Sequence, residues 1–248
     1  MIAAVVAVAA VVVLAILAFS GVFNASSSGS GANDTPVAYS AVAALSSTAG
    51  QSIPGGPWNV VAAEGIGVPN EISQTSPEAI GGGKCTYSTV DGSPTNVSIP
   101  ATPSGTTPGK AAVWVFFAKN ASLDSVLLIS VVGGTVAPLT LVTGCPFVSD
   151  FTDLNTIASV SVVDSTAVAS EFDQAGGDSF LGNHTLGVQL FILIGGSTFT
   201  GGSAVWDLEY STCVVAAASG PGSWVTADYY AGTGVAIKAP STVAGTCS

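Results

Sequence analysis

The chain has 248 residues, with four lysines, no arginine, fifteen acids and one histidine, for a formal net charge of −11 at pH 7. That balance excludes the cationic footprint needed to hold nucleic acid or phosphate. Only 8% of residues are charged, against a usual level of about 25%, so the polar surface must be built from Ser, Thr, Asn, Gln and backbone. Such a surface changes charge little with pH, which would suit an acidic or harsh exterior.

Residues 1–23 read MIAAVVAVAAVVVLAILAFSGVF, with no charge, no proline and no amide, and the first ionisable side chain is Asp34. About 23 residues at ~1.5 Å each make a helix of about 35 Å, long enough to cross a hydrocarbon core of about 30 Å. The stretch is apolar all round, so it belongs in a membrane or in a bundle of similar helices. A cleaved secretory signal should carry a basic start and a shorter apolar core. A permanent anchor fits the length but lacks flanking Lys or Arg to set its orientation. The third reading is a helix held first in the membrane and then packed with copies of itself. Ala3, Ala7, Ala10 and Ala18 allow close approach, while Val5, Val8, Val12, Leu14, Ile16, Leu17, Phe19 and Phe23 supply packing.

Residues 24–34 (NASSSGSGAND) end that helix in a Ser/Gly neck. Thr35 and Pro36 suit the cap and first position of a second helix, with Val37, Ala41, Ala44 and Leu45 near helical spacing and Gly50 to close it. From Trp58 the pattern turns to short strands over residues 58–62 and 85–90. The runs 111–118 (AAVWVFFA) and 126–132 (VLLISVV) are nearly continuous and apolar, as in central strands covered on both faces. Gly133-Gly134 is a two-residue hairpin signal leading into residues 135–142, where Pro138 predicts an edge or a bulge. Asp164 or Ser165 caps a predicted helix through Ala175, closed by Gly176-Gly177. Residues 186–194 and 204–210 are strands again, and residues 224–230 and 235–238 form a last hairpin.

An internal repeat runs through this order. Ala41-Val42-Ala43 and Ala167-Val168-Ala169 each open a helix, Ala112-Val113-Trp114 and Ala204-Val205-Trp206 each lie in a strong strand, and Cys145 and Cys247 each close a half. The expected organisation is a hydrophobic assembly or membrane helix (residues 1–26), a neck (27–35) and two head modules (36–150 and 151–248). The fold class is an N-terminal hydrophobic α-helix serving as a stalk, plus a β-rich globular head of antiparallel sheets with one or two short helices. The head is read as two duplicated α+β modules, with an immunoglobulin-like sandwich as the alternative.

Cys85, Cys145, Cys213 and Cys247 are widely spaced, with no CxxC pair and His184 the only histidine, which argues against zinc. Two disulfides are the default in an exported chain. Of the three connectivities, the repeat favours Cys85–Cys145 with Cys213–Cys247. Five Asn-X-Ser/Thr sequons, at Asn24, Asn33, Asn96, Asn120 and Asn183, predict N-linked glycans on surface elements.

No residue pattern points to catalysis. His184 lies inside a sequon, as an exposed loop residue would. Asp207 and Glu209 alternate with Trp206 and Leu208, the arrangement of a solvated strand face rather than an acid–base pair. Gly81-Gly82-Gly83-Lys84 lacks P-loop spacing. Asp150, Asp153, Asp164, Asp173 and Asp178 are too scattered for an EF-hand, leaving at most a calcium ion between two of them. Trp58, Trp114, Trp206 and Trp224 read as core. No cofactor is expected.

An uncharged Ala/Val/Leu/Ile helix at the start of the chain, followed by a head rich in strands, Ser, Thr and Gly, resembles the archaeal type IV pilins and archaellins. The resemblance covers about residues 1–27 and is one of composition and position. Val5 stands where bacterial pilins carry glutamate. The resemblance implies a structural filament subunit, membrane-inserted before assembly and extracellular afterwards. Its helices would bundle in a helical homopolymer, its glycosylated heads would form the sheath, and the filament would serve adhesion or motility. The other reading is a membrane-anchored surface ectodomain or binding module.

Overall fold

The computed structural model describes residues 35–51, 53–68, 72–74, 86–90, 97–99, 108–121, 125–136, 139–144, 151, 153–157, 161–198, 200–213 and 220–247. The expected assembly helix and neck, Asn24, Asn33, Asn96, Cys85, Cys145, Lys84 and Asp150 fall outside these residues.

The first described helix is α1 (Tyr39–Gln51). The strands β1 (Asn59–Gly67), β2 (Ile72–Gln74), β3 (Thr86–Thr89), β4 (Val97–Ile99), β5 (Val113–Lys119), β6 (Ser125–Val132), β7 (Thr135–Val136) and β8 (Thr140–Thr143) follow. Next come α2 (Ser165–Phe172), a π turn (Asp173–Gly177), α3 (Asp178–Asn183), and strands β9 (Val188–Ile194), β10 (Val205–Ser211), β11 (Gly220–Tyr230) and β12 (Ala236–Cys247). Ten strands form one antiparallel sheet in the order β12-β11-β10-β9-β1-β5-β6-β8-β3, with β7 beside β6, while β2 pairs with β4. The head is therefore β-rich. Among the described residues the strands make one wide sheet and a small ribbon, not the two facing sheets of an immunoglobulin-like sandwich.

The apolar runs become β5 and β6, buried along almost their whole length. Gly133 and Gly134 make the β6–β7 turn with φ of 54° and 81°, the positive values that a two-residue hairpin requires. The strand expected over residues 135–142 is described as two, β7 ending at Val136 and β8 starting at Thr140; Pro138 lies outside the described residues.

Helix α1 departs from expectation at its start. It begins at Tyr39 rather than at Thr35-Pro36, because Val37 is taken up in an extended bridge with Ala111. The second helix is closed where expected: Gly176 takes a φ of 156°, outside the helical range, and a kink there separates it from the short α3 that follows. Gly177 then packs closely, since a Cβ on it would lie 2.8 Å from Asp173 Oδ1 and 3.1 Å from the Tyr210 ring.

The helices cover one face of the sheet. Tyr39, Val42, Val168, Phe172 and Phe180 meet Trp114, Phe116, Ile129, Phe191, Leu193, Trp206 and Tyr210 in one buried cluster. Each large side chain withdrawn from water stabilises by about 1.5–3 kcal/mol. The other face carries Ala62, Ile66, Val115, Leu128 and Ile192, also buried, and Phe151 stacks on Phe117 there at 5.2 Å.

The sheet reads alike in both directions from its middle. In the β1–β9 pair Ala62 faces Ile194 and Ile66 faces Leu190, with Glu64 opposite Ile192 at the centre. Ile66 then faces Val113 of β5 on one side, and Ile194 faces Val205 of β10 on the other. Trp114 faces Val131, and Trp206 faces Tyr229. Beyond the strand starts, Gly133 N donates to Ala112 O at 2.9 Å and Ala231 N donates to Ala204 O at 2.9 Å.

Candidate functional site at the entry of the chain into the head

The described chain begins at Thr35 and enters the head at the middle of its core. Val37 N donates to Ala111 O at 3.0 Å, and Ala111 N donates back to Val37 O at 3.1 Å. The same Val37 carbonyl accepts Trp114 Nε1 at 2.9 Å. Two residues on, the Tyr39 ring is buried between Trp114 (5.7 Å), Trp206 (5.3 Å, nearly perpendicular) and Phe116 (6.0 Å). Edge-to-face contacts of this kind add about 0.5–1.5 kcal/mol each to simple burial. Burial, with Asp164 nearby, pushes the Tyr39 phenol well above its ordinary range, so the ring stays neutral.

The start of α1 is capped from far along the chain. Its N–H groups need outside acceptors. Tyr39 N donates to Ser165 Oγ at 2.9 Å and Ser40 N donates to Asp164 Oδ1 at 2.8 Å. Asp164 stands at the N-cap position of α2, yet its side chain caps none of that helix's N–H groups; its other carboxylate oxygen accepts Thr166 Oγ1 at 2.8 Å. Its charge thus favours the amino end of α1. Ser165 Oγ donates onward to Gly109 O at 2.7 Å. Gly109 has a φ of 76°, and a Cβ there would collide with the Ser165 backbone, so only glycine fits.

The same clasp occurs at the start of α2. Val163 N donates to Ala231 O at 2.7 Å, and Val163 O accepts Trp206 Nε1 at 2.9 Å. Each helix is thus preceded by a valine whose carbonyl is held by a buried tryptophan of the Ala-Val-Trp strand.

Asp207 and Glu209 do not lie on a solvated face, as the alternation suggested. They sit half-buried on the face away from the helices, where the strand's neighbours leave little water. Burial, with Asp228 and Glu209 close by, holds the Asp207 carboxyl well above the carboxylate range, and burial pushes Glu209 up to about 7. Glu64 was not singled out by the sequence reading. Its side chain is fully buried, and neither oxygen has a hydrogen-bond partner among the described residues. Its signal was a lone acid inside the apolar stretch NVVAAEGIG.

The remaining site candidates are scattered. Asn183 is exposed at the end of α3, with Nδ2 donating to Ser179 O at 2.6 Å. Asn120 Nδ2 donates to Gly55 O at 3.3 Å. His184 lies against Phe180, its ring stacked at 4.3 Å. Asp173 accepts the Tyr210 hydroxyl at 2.7 Å, and among the described residues no group of His, Cys, Asp and Glu is placed to hold a metal ion. Trp58, Trp114 and Trp206 are core, while Trp224 is half-buried. Cys213 and Cys247 form a disulfide that joins the end of β10 to the end of β12. It crosses above Gly222 of β11, where a Cβ would collide with both sulfurs. Among the described residues no helix is long and apolar enough to cross a membrane.

These features define a β-rich unit whose amino-terminal segment is half-buried and hydrogen-bonded at Val37 and buried among aromatic rings at Tyr39. No protein-family model, curated protein or solved structure matches the chain.

Proposed function

We propose that the chain is a structural subunit of an extracellular filament of the type IV pilus or archaellum kind, serving adhesion or motility. Residues 1–23 bundle with their counterparts in the filament core, and the heads form the outer sheath. Before assembly the apolar stretch resides in the membrane. The partners are copies of the same chain, and Asn24, Asn33, Asn96, Asn120 and Asn183 are the glycan acceptors. The chain is not an enzyme in this reading.

The observation that carries it is the clasp around Val37 and Tyr39. A subunit pulled through its amino-terminal stretch must pass load into its head. Here the tether is held at the entry to the central strand β5 by three hydrogen bonds of Val37, two with Ala111 just before the strand and one from Trp114 Nε1 within it, and is followed by the caged ring of Tyr39. A tether sewn to a sheet edge would peel; one entering at the middle must break the core first. The same reading makes the head two duplicated α+β modules, residues 36–150 and 151–248. Support comes from the paired Val–Trp clasps and the matching register on either side of β1–β9.

Electron microscopy of material sheared from cells, with intact mass measurement of its subunit, tests this function. Long particles whose subunit retains residues 1–23, with mass well above 24.2 kDa, are expected. Dispersed particles that need detergent would point to an anchored ectodomain and refute the filament.

A further inference from the structure

Four acids and one lysine share the sheet face that turns away from the helices. Glu64 lies opposite Ile192, Ile192 opposite Asp207, Asp207 opposite Asp228, and Asp228 opposite Lys238. Glu64, Ile192, Asp207, Asp228 and Lys238 therefore form one row across β1, β9, β10, β11 and β12, with an irregularity in the β11–β12 ladder at Asp228. Glu209, two residues along β10 from Asp207, points to the same side and adds a fourth carboxyl. Side chains directly opposite on antiparallel strands stand about 5 Å apart at Cβ, and like charges there are destabilising. Asp207 and Asp228 are such a pair. Glu64 closes the row at its deep end, fully buried and without a hydrogen-bond partner among the described residues. An ionised carboxylate in that position is far costlier than a neutral acid.

The other charged or titratable groups near this face do not neutralise the row. Lys238 Nζ donates to Thr226 Oγ1 at 3.4 Å, which leaves one cation against four acids. Lys119 stands at the far end of β5, opposite Asn59, Tyr230 ends β11 on this side, and Asp153 is exposed on the segment whose Phe151 covers Phe117. No group of these acids is arranged for a metal ion, so the proton is the ligand that fits.

We propose that this row is a proton-operated latch, which holds β11 and β12 against β10 when its carboxyls are neutral and loosens that seam when they ionise. The seam is the β10–β11 ladder, with Asp207 and Asp228 in its middle. The Cys213–Cys247 bridge ties β12 back to β10 at one end of the same strands, so a loosened seam stays attached and can close again. The latch is shut in acid. As pH rises, the acids lose protons they would have given up near pH 4 in the unfolded chain, and the stability they carried is withdrawn.

The test is hydrogen exchange read by mass spectrometry on the disulfide-intact chain at pH 4 and pH 7.5, corrected for intrinsic exchange. Peptides from β11 and β12 are expected to lose protection at least tenfold at the higher pH, while β5 and β6 keep theirs. Asp228→Asn removes one member of the facing pair and should restore most of that protection at pH 7.5. Glu64→Gln, nearly isosteric and uncharged, should raise the neutral-pH unfolding midpoint without changing it at pH 4, and serves if the first variant does not fold. Protection of β11 and β12 that is independent of pH would overturn the latch. So would variants that keep the wild-type pH dependence, or calcium ions alone restoring protection at pH 7.5, which would make the row a cation site.

Discussion

At the residue scale Ser165 ties together three separate parts of the chain. One hydroxyl accepts the Tyr39 N–H and donates to the Gly109 carbonyl, joining the first helix, the second helix and the loop before β5. It is fully buried, so neither partner could turn to water in its absence. Ser165→Ala leaves a buried donor and a buried acceptor unmet, at about 1–3 kcal/mol each. The expected result is a loss of about 2–4 kcal/mol in urea unfolding, with an unchanged slope. An equivalent change at Thr166, whose hydroxyl meets only Asp164 on the half-buried surface, should cost much less. Equal losses for the two would mean that the capping of α1 from the second helix carries no special weight. Nothing local in the sequence announces this arrangement: Asp164 and Ser165 look like the cap of their own helix, and the acceptors they provide to Tyr39 and Ser40 lie more than a hundred residues away. Thr35 and Pro36 carried the right local signal for a helix start, but the tertiary bridge of Val37 took precedence over it.

At the element scale the strands were the legible part. Continuous apolar runs gave β5 and β6, the glycine pair gave the β6–β7 turn, and the Ala-Val-Trp strings fell at the starts of β5 and β10. Strand neighbours were not legible, since the meeting of β1 with β9 depends on two distant segments whose sequences are merely apolar. Glu64 escaped, and Asp207 and Glu209 were taken for a solvated face, for a related reason: alternation marks which face a side chain takes, but not whether that face is covered. The disulfide is the firmest link among the strands. It closes a loop of 34 residues, for which chain entropy gives about 3–4 kcal/mol. Replacing Cys213 and Cys247 together by alanine should lower stability by about that amount and should affect exchange most at β12, the edge strand. Gly222→Ala should act in the same direction, because its methyl would occupy the space of the two sulfurs, and it should release titratable thiols. On the opposite edge, Thr86 faces Thr143, so the strands that follow Cys85 and precede Cys145 in sequence are paired. Peptide mapping without reduction is expected to recover Cys85–Cys145 beside Cys213–Cys247, and a crossed pairing would refute the assignment of cysteines by halves.

At the scale of the whole molecule the acids set the response to pH. Burial raises Asp173 to about 6 even though the Tyr210 hydroxyl favours its charged form, and burial alone raises Glu209 to about 7. Both lie above the unfolded value near 4. A carboxyl raised on folding adds stability that is complete below the unfolded value and is lost as pH climbs through the folded one. The thermal midpoint should therefore be highest near pH 4 and fall across pH 5–8, the reverse of a protein held by salt bridges. Asp173→Asn should flatten the first part of that fall and leave the part near pH 7. The tether makes the last prediction. A chain starting at Thr35 keeps every bond of Val37 and Tyr39, so its unfolding midpoint should match that of the whole chain, while its self-association should vanish with residues 1–34. A chain starting at Tyr39 loses the two bonds with Ala111 and leaves the Trp114 indole without its acceptor. At about 1–3 kcal/mol for each orphaned buried group, it should be far less stable. If the two truncations unfold alike, the clasp does not anchor the head. If the longer one also fails to fold, the head depends on residues 1–34, and load would enter it elsewhere than at Val37.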